Sequence, residues 1–166
     1  METTRHFVAT VYVVNDGATL LHEHEKLDMW FPPGGHVDRA ETPHEAALRE
    51  TCEETGLDVD LVAPEGDIES DTVRSIPRPQ HLLLEDINVC DGQVGHQHVD
   101  HIYYGEAASR DLDPAPGETP VDAWEWFTAD RLQAAADWLE PDVVEIGQRA
   151  IAAVGADVDT SNGDAH

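Results

Sequence analysis

The sequence has very little positive charge. Its 166 residues carry 35 aspartates and glutamates against eight arginines and a single lysine, Lys26, and the net charge is −26. A field of that sign repels nucleic acids and anionic membrane surfaces, so we expect neither as a partner. Acidic residues spread along a whole chain with almost no lysine are typical of cytosolic proteins that work in concentrated salt, where counterions screen the self-repulsion. We therefore expect a halophilic protein that needs salt to stay folded.

Cysteine and long apolar runs are also scarce. The two cysteines, Cys52 and Cys90, are too few for a disulfide framework, and neither has a second Cys or His at the spacing of a zinc site. The apolar run FVATVYVV near the N-terminus alternates like a strand and is too short for a signal peptide or a membrane span. These features favour a reducing, cytoplasmic location.

The remaining composition suits one compact domain. The chain is long enough for a single core, and 40% of its residues are apolar. We place this domain at residues 1–154 and a disordered acidic tail at residues 155–166, where apolar content is too low to order the chain. Strands are predicted at residues 6–14, 18–24, 57–62, 80–89, 98–107 and 123–127, and helices at 128–139 and 142–154. Asn15, Asp16 and Gly17 between the first two strands predict a tight hairpin.

One stretch, FPPGGHVDRAETPHEAALRETCEETGL at residues 31–57, differs from the rest. Its paired prolines and glycines interrupt regular structure, and Thr42, Pro43 and Glu45 then have the capping signature of a helix start. Gly56 is suited to end that helix. The face expected to pack on a sheet contains Ala47, Leu48, Thr51, Cys52 and Thr55.

Three carboxylates lie outside that packing face. Glu50, Glu53 and Glu54 are three and four residues apart, so they point into one small volume beside Arg49. Like charges at this spacing destabilise a helix by roughly 0.2–0.5 kcal/mol per pair, and a hard divalent cation would offset the repulsion. The alternative is an ordinary solvated face in a protein that is acidic everywhere.

The spacing of these residues is specific. Counting from Gly35, the chain reads Gly, five residues, Glu41, seven residues, Arg49-Glu50, two residues, Glu53-Glu54, one residue and Gly56-Leu57. This pattern resembles the signature of the Nudix hydrolases at every charged and glycine position. It departs from the signature at Thr51, where the family usually has an aliphatic residue. The resemblance implies an α/β Nudix fold, in which a mixed β-sheet is sandwiched between α-helices.

The resemblance also implies a role for each residue of the signature. A Mg²⁺ or Mn²⁺ ion would be held by Glu50, Glu53 and Glu54, together with a main-chain carbonyl that we assign to Gly34. Arg49 and Glu41 would form a pair that braces the carboxylates, and Gly35 and Gly56 would support the shape of the site. The general base would be Glu50 or, as in some relatives, an acid on a distant loop, for which Glu118 is available.

The expected partner is a small phosphorylated molecule, and Nudix enzymes hydrolyse a diphosphate linked to another moiety. Subgroups that cleave ADP-ribose or dinucleoside polyphosphates resemble one another in a proline or tyrosine after the signature, and the stretch DTVRS at residues 71–75 has neither. The sequence therefore favours a nucleoside triphosphate or a nucleotide-sugar-like diphosphate as substrate. The sequence is also compatible with a homodimer.

Three alternatives remain. A non-catalytic Nudix-like ligand sensor would not need the complete set of acids, and a Nudix-fold prenyl diphosphate isomerase would need a cysteine in the pocket. Cys52 is expected on the packing face and Cys90 in a turn, so neither suits that role. The motif GHQHVDH has zinc-ligand residue types, but on a strand His98 and Asp100 face one way and His101 the other, which favours an ordinary pocket wall.

Overall fold

The computed structural model describes residues 2–161. Within them, eight strands and three helices follow one another along the chain. In order they are β1 (Thr4–Asn15), β2 (Ala18–His24), β3 (Met29–Phe31), β4 (Gly34–His36), α1 (Pro43–Thr55), β5 (Val59–Leu61), β6 (His81–Cys90), β7 (Gln93–Ala107), β8 (Trp124–Thr128), α2 (Ala129–Ala134) and α3 (Pro141–Ser161). None of the helices in this described part is long and apolar enough to cross a bilayer.

All eight strands belong to one mixed sheet. Strands β1 and β7 run parallel at its centre, in a register that places Thr4 beside His96 and Val14 beside Glu106. Strands β2 and β4 pair antiparallel with β1, and β3 and β8 pair antiparallel with β2. Strands β5 and β6 pair antiparallel with β7. The mixed sheet expected from the sequence is confirmed.

Helices cover both faces of this sheet because β1 alternates its side chains between two cores. Val11 and Val13 pack with Ala46 of α1 in one core. Tyr12 and Val14 pack with residues of α2 and α3 in the other. The predicted sandwich of a mixed sheet between helices is therefore also confirmed.

The predicted elements differ from the structure before α1 and near the C-terminus. Strands β3 and β4 were not predicted, and β4 contains the two glycines that were expected to interrupt regular structure. The hairpin turn is as expected, with positive φ angles of 45° at Asp16 and 73° at Gly17. The helix predicted at residues 128–139 is shorter, since α2 ends at Ala134, and the proline that starts α3 disfavours helix in the residue before it. Helix α3 continues to Ser161, so the predicted border between domain and tail at residues 154 and 155 falls within it. Residues 162–166 of the predicted tail lie outside the described residues.

Helix α1 buries two threonines, Thr51 and Thr55, alongside its alanines. The hydroxyl of Thr51 donates to the carbonyl of Ala47 at 2.8 Å, and that of Thr55 donates to Thr51 at 2.6 Å. These bonds inside the helix satisfy the buried hydroxyls, which explains how threonine replaces the usual aliphatic residue at position 51. The prediction that Cys52 lies on the packing face is wrong, because its side chain is exposed.

A loop after β7 closes the C-terminal end of α1. The backbone N–H of Asp113 donates to the carbonyl of Thr55 at 2.9 Å, and that of Ala115 donates to the carbonyl of Glu53 at 2.8 Å. Gly56 makes this approach feasible, with φ at 74°, and a Cβ there would lie 2.4 Å from the carbonyl oxygen of Asp113. The loop thus occupies carbonyls that the helix itself leaves unpaired.

We predict that Gly56→Ala lowers the free energy of unfolding by about 2–4 kcal/mol, because it adds a clash with Asp113 to the cost of a positive φ. Gly92→Ala is the matched control, since Gly92 has φ at 73° with open space around it, and should cost only about 1–2 kcal/mol. Thermal unfolding of both variants in concentrated salt measures the difference. Equal decreases in stability in the two variants would show that a Cβ at position 56 does not clash with the loop at Asp113.

Candidate active site

The glycines of β4 lie directly against the carboxylates of α1. The backbone N–H of Gly34 donates to Oε1 of Glu54 at 3.2 Å. A Cβ on Gly35 would lie 2.4 Å from the carboxylate carbon of Glu50, so only glycine permits this approach. The structure therefore brings together the two glycines and two of the acids predicted from the sequence.

Arg49 connects the acids of the site to one another. Its Nε and Nη2 donate to the two carboxylate oxygens of Glu41 at 2.5 and 3.0 Å, which is a bidentate pair. Its Nη1 donates to Glu50 at 2.8 Å and to Glu53 at 3.2 Å. A further bond from Nη2 to the carbonyl of His36, at 3.1 Å, ties the same guanidinium to the end of β4.

The ion pair between Arg49 and Glu41 sets the charge of both groups. The hydrogen bond from Arg49 is the main reason that the pKa of Glu41 is lowered, and the same bond raises the pKa of Arg49. The ionised form of each group is therefore favoured. Arg49 and Glu41, which the sequence paired, are thus hydrogen-bonded to each other in the structure.

Glu54 is the carboxylate whose surroundings are least suited to negative charge. Its side chain is half-buried, and its pKa is raised to about 8. Desolvation is the main cause and the charges of Glu50, Glu118 and Glu53 add to it, whereas the hydrogen bond from the Gly34 N–H acts in the opposite direction. Arg49 binds Glu50 and Glu53, but no positively charged side chain among the described residues is hydrogen-bonded to Glu54. The ligand atoms of the cluster are all oxygens, which is the type that Mg²⁺ and Mn²⁺ prefer.

The predicted metal ligands are close together but do not form a closed cage. Within the described residues, no three His, Cys, Asp or Glu side chains converge on a single point. The reason is visible at Arg49, which draws Glu50 and Glu53 toward itself by hydrogen bonds. The donor set nevertheless fits a hard cation, because its side-chain donors are all carboxylate oxygens. Glu54 lies against the backbone of Gly34, and Glu50 occupies the space that a Cβ at Gly35 would fill.

Glu118 also approaches the site, although its sequence position is distant. It lies in the loop that the Ala115 N–H attaches to the end of α1, and its own N–H donates to the carbonyl of Ala115 at 3.2 Å. Its charge is one of those that raise the pKa of Glu54. The contacts that place this loop are made by backbone groups, and no residue pattern in the sequence indicates them.

The histidine motif on β7 has the predicted division between faces. His98 contacts the ring of His36, and the neighbouring Asp100 accepts a hydrogen bond from the Thr10 hydroxyl at 2.9 Å. His101 lies on the other face, where its ring meets Phe7 and its Nδ1 donates to the carbonyl of Val8 at 3.0 Å.

Comparison with known proteins agrees with this geometry. The NUDIX domain family matches residues 4–146. The chain belongs to the Nudix family. A hydrolase of the NUDIX family from Clostridium perfringens has a similar structure, with a TM-score of 0.76 and 28% sequence identity over 91% of this chain and 99% of that one. The family and the fold predicted from residues 35–57 are therefore confirmed.

Two curated relatives match shorter segments. The asymmetrical bis(5'-nucleosyl)-tetraphosphatase of Rattus norvegicus is 41% identical over 63 residues, which are 37% of this chain and 43% of the relative. A candidate 8-oxo-dGTP diphosphatase of Bacillus subtilis (strain 168) is 42% identical over 59 residues, which are 35% of this chain and 40% of the relative. The matches thus span less than half the length of either relative.

We predict that Arg49→Lys in this Nudix protein lowers the free energy of unfolding by about 1–2 kcal/mol, because lysine cannot bind Glu41 in bidentate fashion while also reaching Glu50. Arg149→Lys is the matched control. Arg149 makes one bond, to Glu145 at 2.6 Å, and its side chain is 58% exposed against 29% for Arg49. The control should cost less than about 0.5 kcal/mol. Chemical denaturation in concentrated salt measures the free energy of unfolding of both variants. Equal decreases in the two variants would contradict the bracing role of Arg49.

Proposed function

We propose that this Nudix protein is a Mg²⁺- or Mn²⁺-dependent hydrolase that cleaves the diphosphate bond of a nucleoside diphosphate linked to another moiety. The observation that carries the proposal is the half-buried Glu54, whose pKa is raised by burial and by three nearby carboxylates. Such a cluster is stable as a set of anions only with a cation beside it. Family membership supports the same conclusion, since Nudix hydrolases generally use a divalent metal.

The ligands would be the carboxylates of Glu50, Glu53 and Glu54 and the carbonyl of Gly34. When bound, the cation neutralises phosphate oxygens that a chain of charge −26 otherwise repels, and it makes water more acidic. Arg49 orients Glu50 and Glu53 through its two bonds from Nη1. Gly35 leaves room for the Glu50 carboxylate, which a side chain at that position would displace.

A carboxylate of the chain would take the proton from the attacking water. Glu50 is our first assignment, because the Arg49 bond holds its carboxylate in one place against β4. Glu118 is the second, because its loop is attached to the end of α1 by the Ala115 N–H and its charge acts on Glu54. The two assignments differ in their consequences: Glu118→Gln lowers turnover strongly only if Glu118 is the base.

For the substrate, we propose a nucleoside triphosphate or a nucleotide-sugar-like diphosphate. The support is the stretch at residues 71–75, which lacks the proline or tyrosine of the ADP-ribose and dinucleoside polyphosphate subgroups. The names of the two curated relatives indicate two further compounds to test as substrates. These are a dinucleoside tetraphosphate and an oxidised deoxynucleoside triphosphate.

The proposal predicts that hydrolysis of a panel of these nucleotides requires a divalent cation. Activity in concentrated salt should be lost in EDTA and return with excess Mg²⁺ or Mn²⁺, since carboxylates alone cannot neutralise the substrate. Release of phosphate, diphosphate or nucleoside monophosphate is the measurement. Full activity in EDTA would refute the metal requirement. Nucleotide binding with no hydrolysis of any compound would instead favour the ligand-sensing domain.

Glu53→Gln should lower kcat by at least about 100-fold, equivalent to about 3 kcal/mol of barrier, because it removes one charged ligand and keeps the shape of the side chain. Without metal, the free energy of unfolding should change by less than about 0.5 kcal/mol, since an exposed ion pair and the repulsion between acids at helix spacing are similarly small. Turnover and thermal unfolding are measured on the same samples.

Glu145→Gln is the control for this variant. Glu145 also pairs with an arginine four residues away, but it lies on α3 and far from the signature in sequence. It should leave both turnover and stability near those of the parent protein. Wild-type turnover in Glu53→Gln across the panel would remove Glu53 from the ligand set.

A further inference from the structure

Four histidines meet on one face of the sheet, outside the carboxylate cluster. His6 lies on β1, His36 on β4, and His96 and His98 on β7. The centre of the His6 ring is 5.2 Å from that of His36 and 4.6 Å from that of His96. The His98 ring is 5.3 Å from His36 and 5.1 Å from His96. The four imidazoles therefore form a closed ring of neighbours, which we call the histidine cluster.

Strand register places the histidine cluster on a single face. His6 is directly beside His98 in the parallel pair of β1 and β7, and His96 is two residues before His98 on the same strand. Residues two apart on a strand share a face, so these three rings lie together. On the other side of β1, His36 is beside Val8, two residues after His6, and so joins the same face.

The spacing of the rings matches that of imidazoles bound to a common metal ion. With metal–nitrogen distances of about 2.0–2.1 Å and tetrahedral angles, two bound imidazoles have ring centres roughly 5 Å apart. Each of the four neighbour distances is close to that value.

One histidine of β7 is held in the manner of a metal ligand. Nδ1 of His96 is hydrogen-bonded to the hydroxyl of Thr4 at 2.8 Å, which leaves its Nε2 for another ligand. Nδ1 of His98 is 3.9 Å from a carboxylate oxygen of Glu85, which is beyond hydrogen-bond distance. A metal-binding histidine characteristically has a hydrogen-bond partner on its second nitrogen, as His96 has.

Charge also favours a cation in the histidine cluster. The net charge of −26 attracts cations to the whole surface, and His6 and His36 line a cavity that is open to solvent.

We propose that His6, His36, His96 and His98 form a second cation site, which takes Zn²⁺ or a similar transition-metal ion. Imidazole nitrogen suits such ions, whereas the carboxylate site on α1 suits Mg²⁺ and Mn²⁺. In the described residues the ligand atoms do not yet converge on one point, so the rings must turn to bind. His6 and His36 are exposed, and their rings are free to do so at little cost in packing.

Occupancy of this site would join three strands. It would link β1 and β7 to β4, whose residue His36 directly follows Gly35 and gives its carbonyl to Arg49. The inference goes beyond hydrolysis and does not depend on it, because binding at the histidine cluster is measured without substrate.

The test is titration of the purified chain with Zn²⁺ in the presence of excess Mg²⁺, which occupies the carboxylate site. We expect about one Zn²⁺ bound per chain at this site, and a melting temperature raised by about 5–10 °C at a free Zn²⁺ concentration about 100-fold above Kd. Side-chain ¹H–¹⁵N spectra of the wild-type protein identify the ligands directly. Among the ten histidines, the signals of the cluster should shift and the others should not.

Variants separate this site from other histidines. The double variant His6→Gln/His98→Gln should lose the bound Zn²⁺ and the rise in melting temperature. His101→Asn is the control, because His101 lies on the same strand as His98 but faces the other way, and it should keep both effects. Zn²⁺ binding that survives in the double variant, that Mg²⁺ displaces, or that shifts other histidines in the wild-type spectrum would overturn the proposal.

Discussion

The close approach of the β4 backbone to the carboxylates of α1 is the contact on which the site depends. Gly34 donates its N–H to Glu54, and the absence of a side chain at Gly35 lets Glu50 lie against the strand. Strand β4 can take this position because it pairs with β1, while α1 packs its alanines on the same sheet. One set of packing contacts therefore fixes both halves of the site.

The second requirement is control of negative charge. The C-terminal half of α1 carries Glu50, Glu53 and Glu54, where acidic groups oppose the helix dipole. Arg49 offsets part of this repulsion by binding Glu50 and Glu53, and Glu41 holds Arg49 in place. The backbone of the loop at Asp113 and Ala115 occupies helix carbonyls at the same end. Burial and the neighbouring carboxylates disfavour a negative charge on Glu54, which supports the divalent cation that we propose at this site.

The two faces of the sheet are covered by different helices and carry different groups of side chains. One face is covered by α1 and carries Glu50, Glu53 and Glu54 at its edge. The other is covered by α2 and α3 over β2 and the C-terminal parts of β1 and β7. At the N-terminal ends of β1 and β7, the histidine cluster and Asp100 lie on that second face. An acidic protein thus has both an oxygen-rich and a nitrogen-rich group of side chains, which differ in the cations they prefer.

Local signals in the sequence determined the hairpin, the start and end of α1 and the spacing of its acids, because turn and cap residues act within a few positions. Alternation along β1 and β7 likewise determined which side chains share a face. Only the tertiary structure decided what lies opposite those residues. The exposure of Cys52 depends on which helix face the sheet covers, and the position of Glu118 depends on backbone bonds made by Asp113 and Ala115. The meeting of His6 and His36 with β7 depends on strand pairing between distant segments, which short-range patterns do not encode.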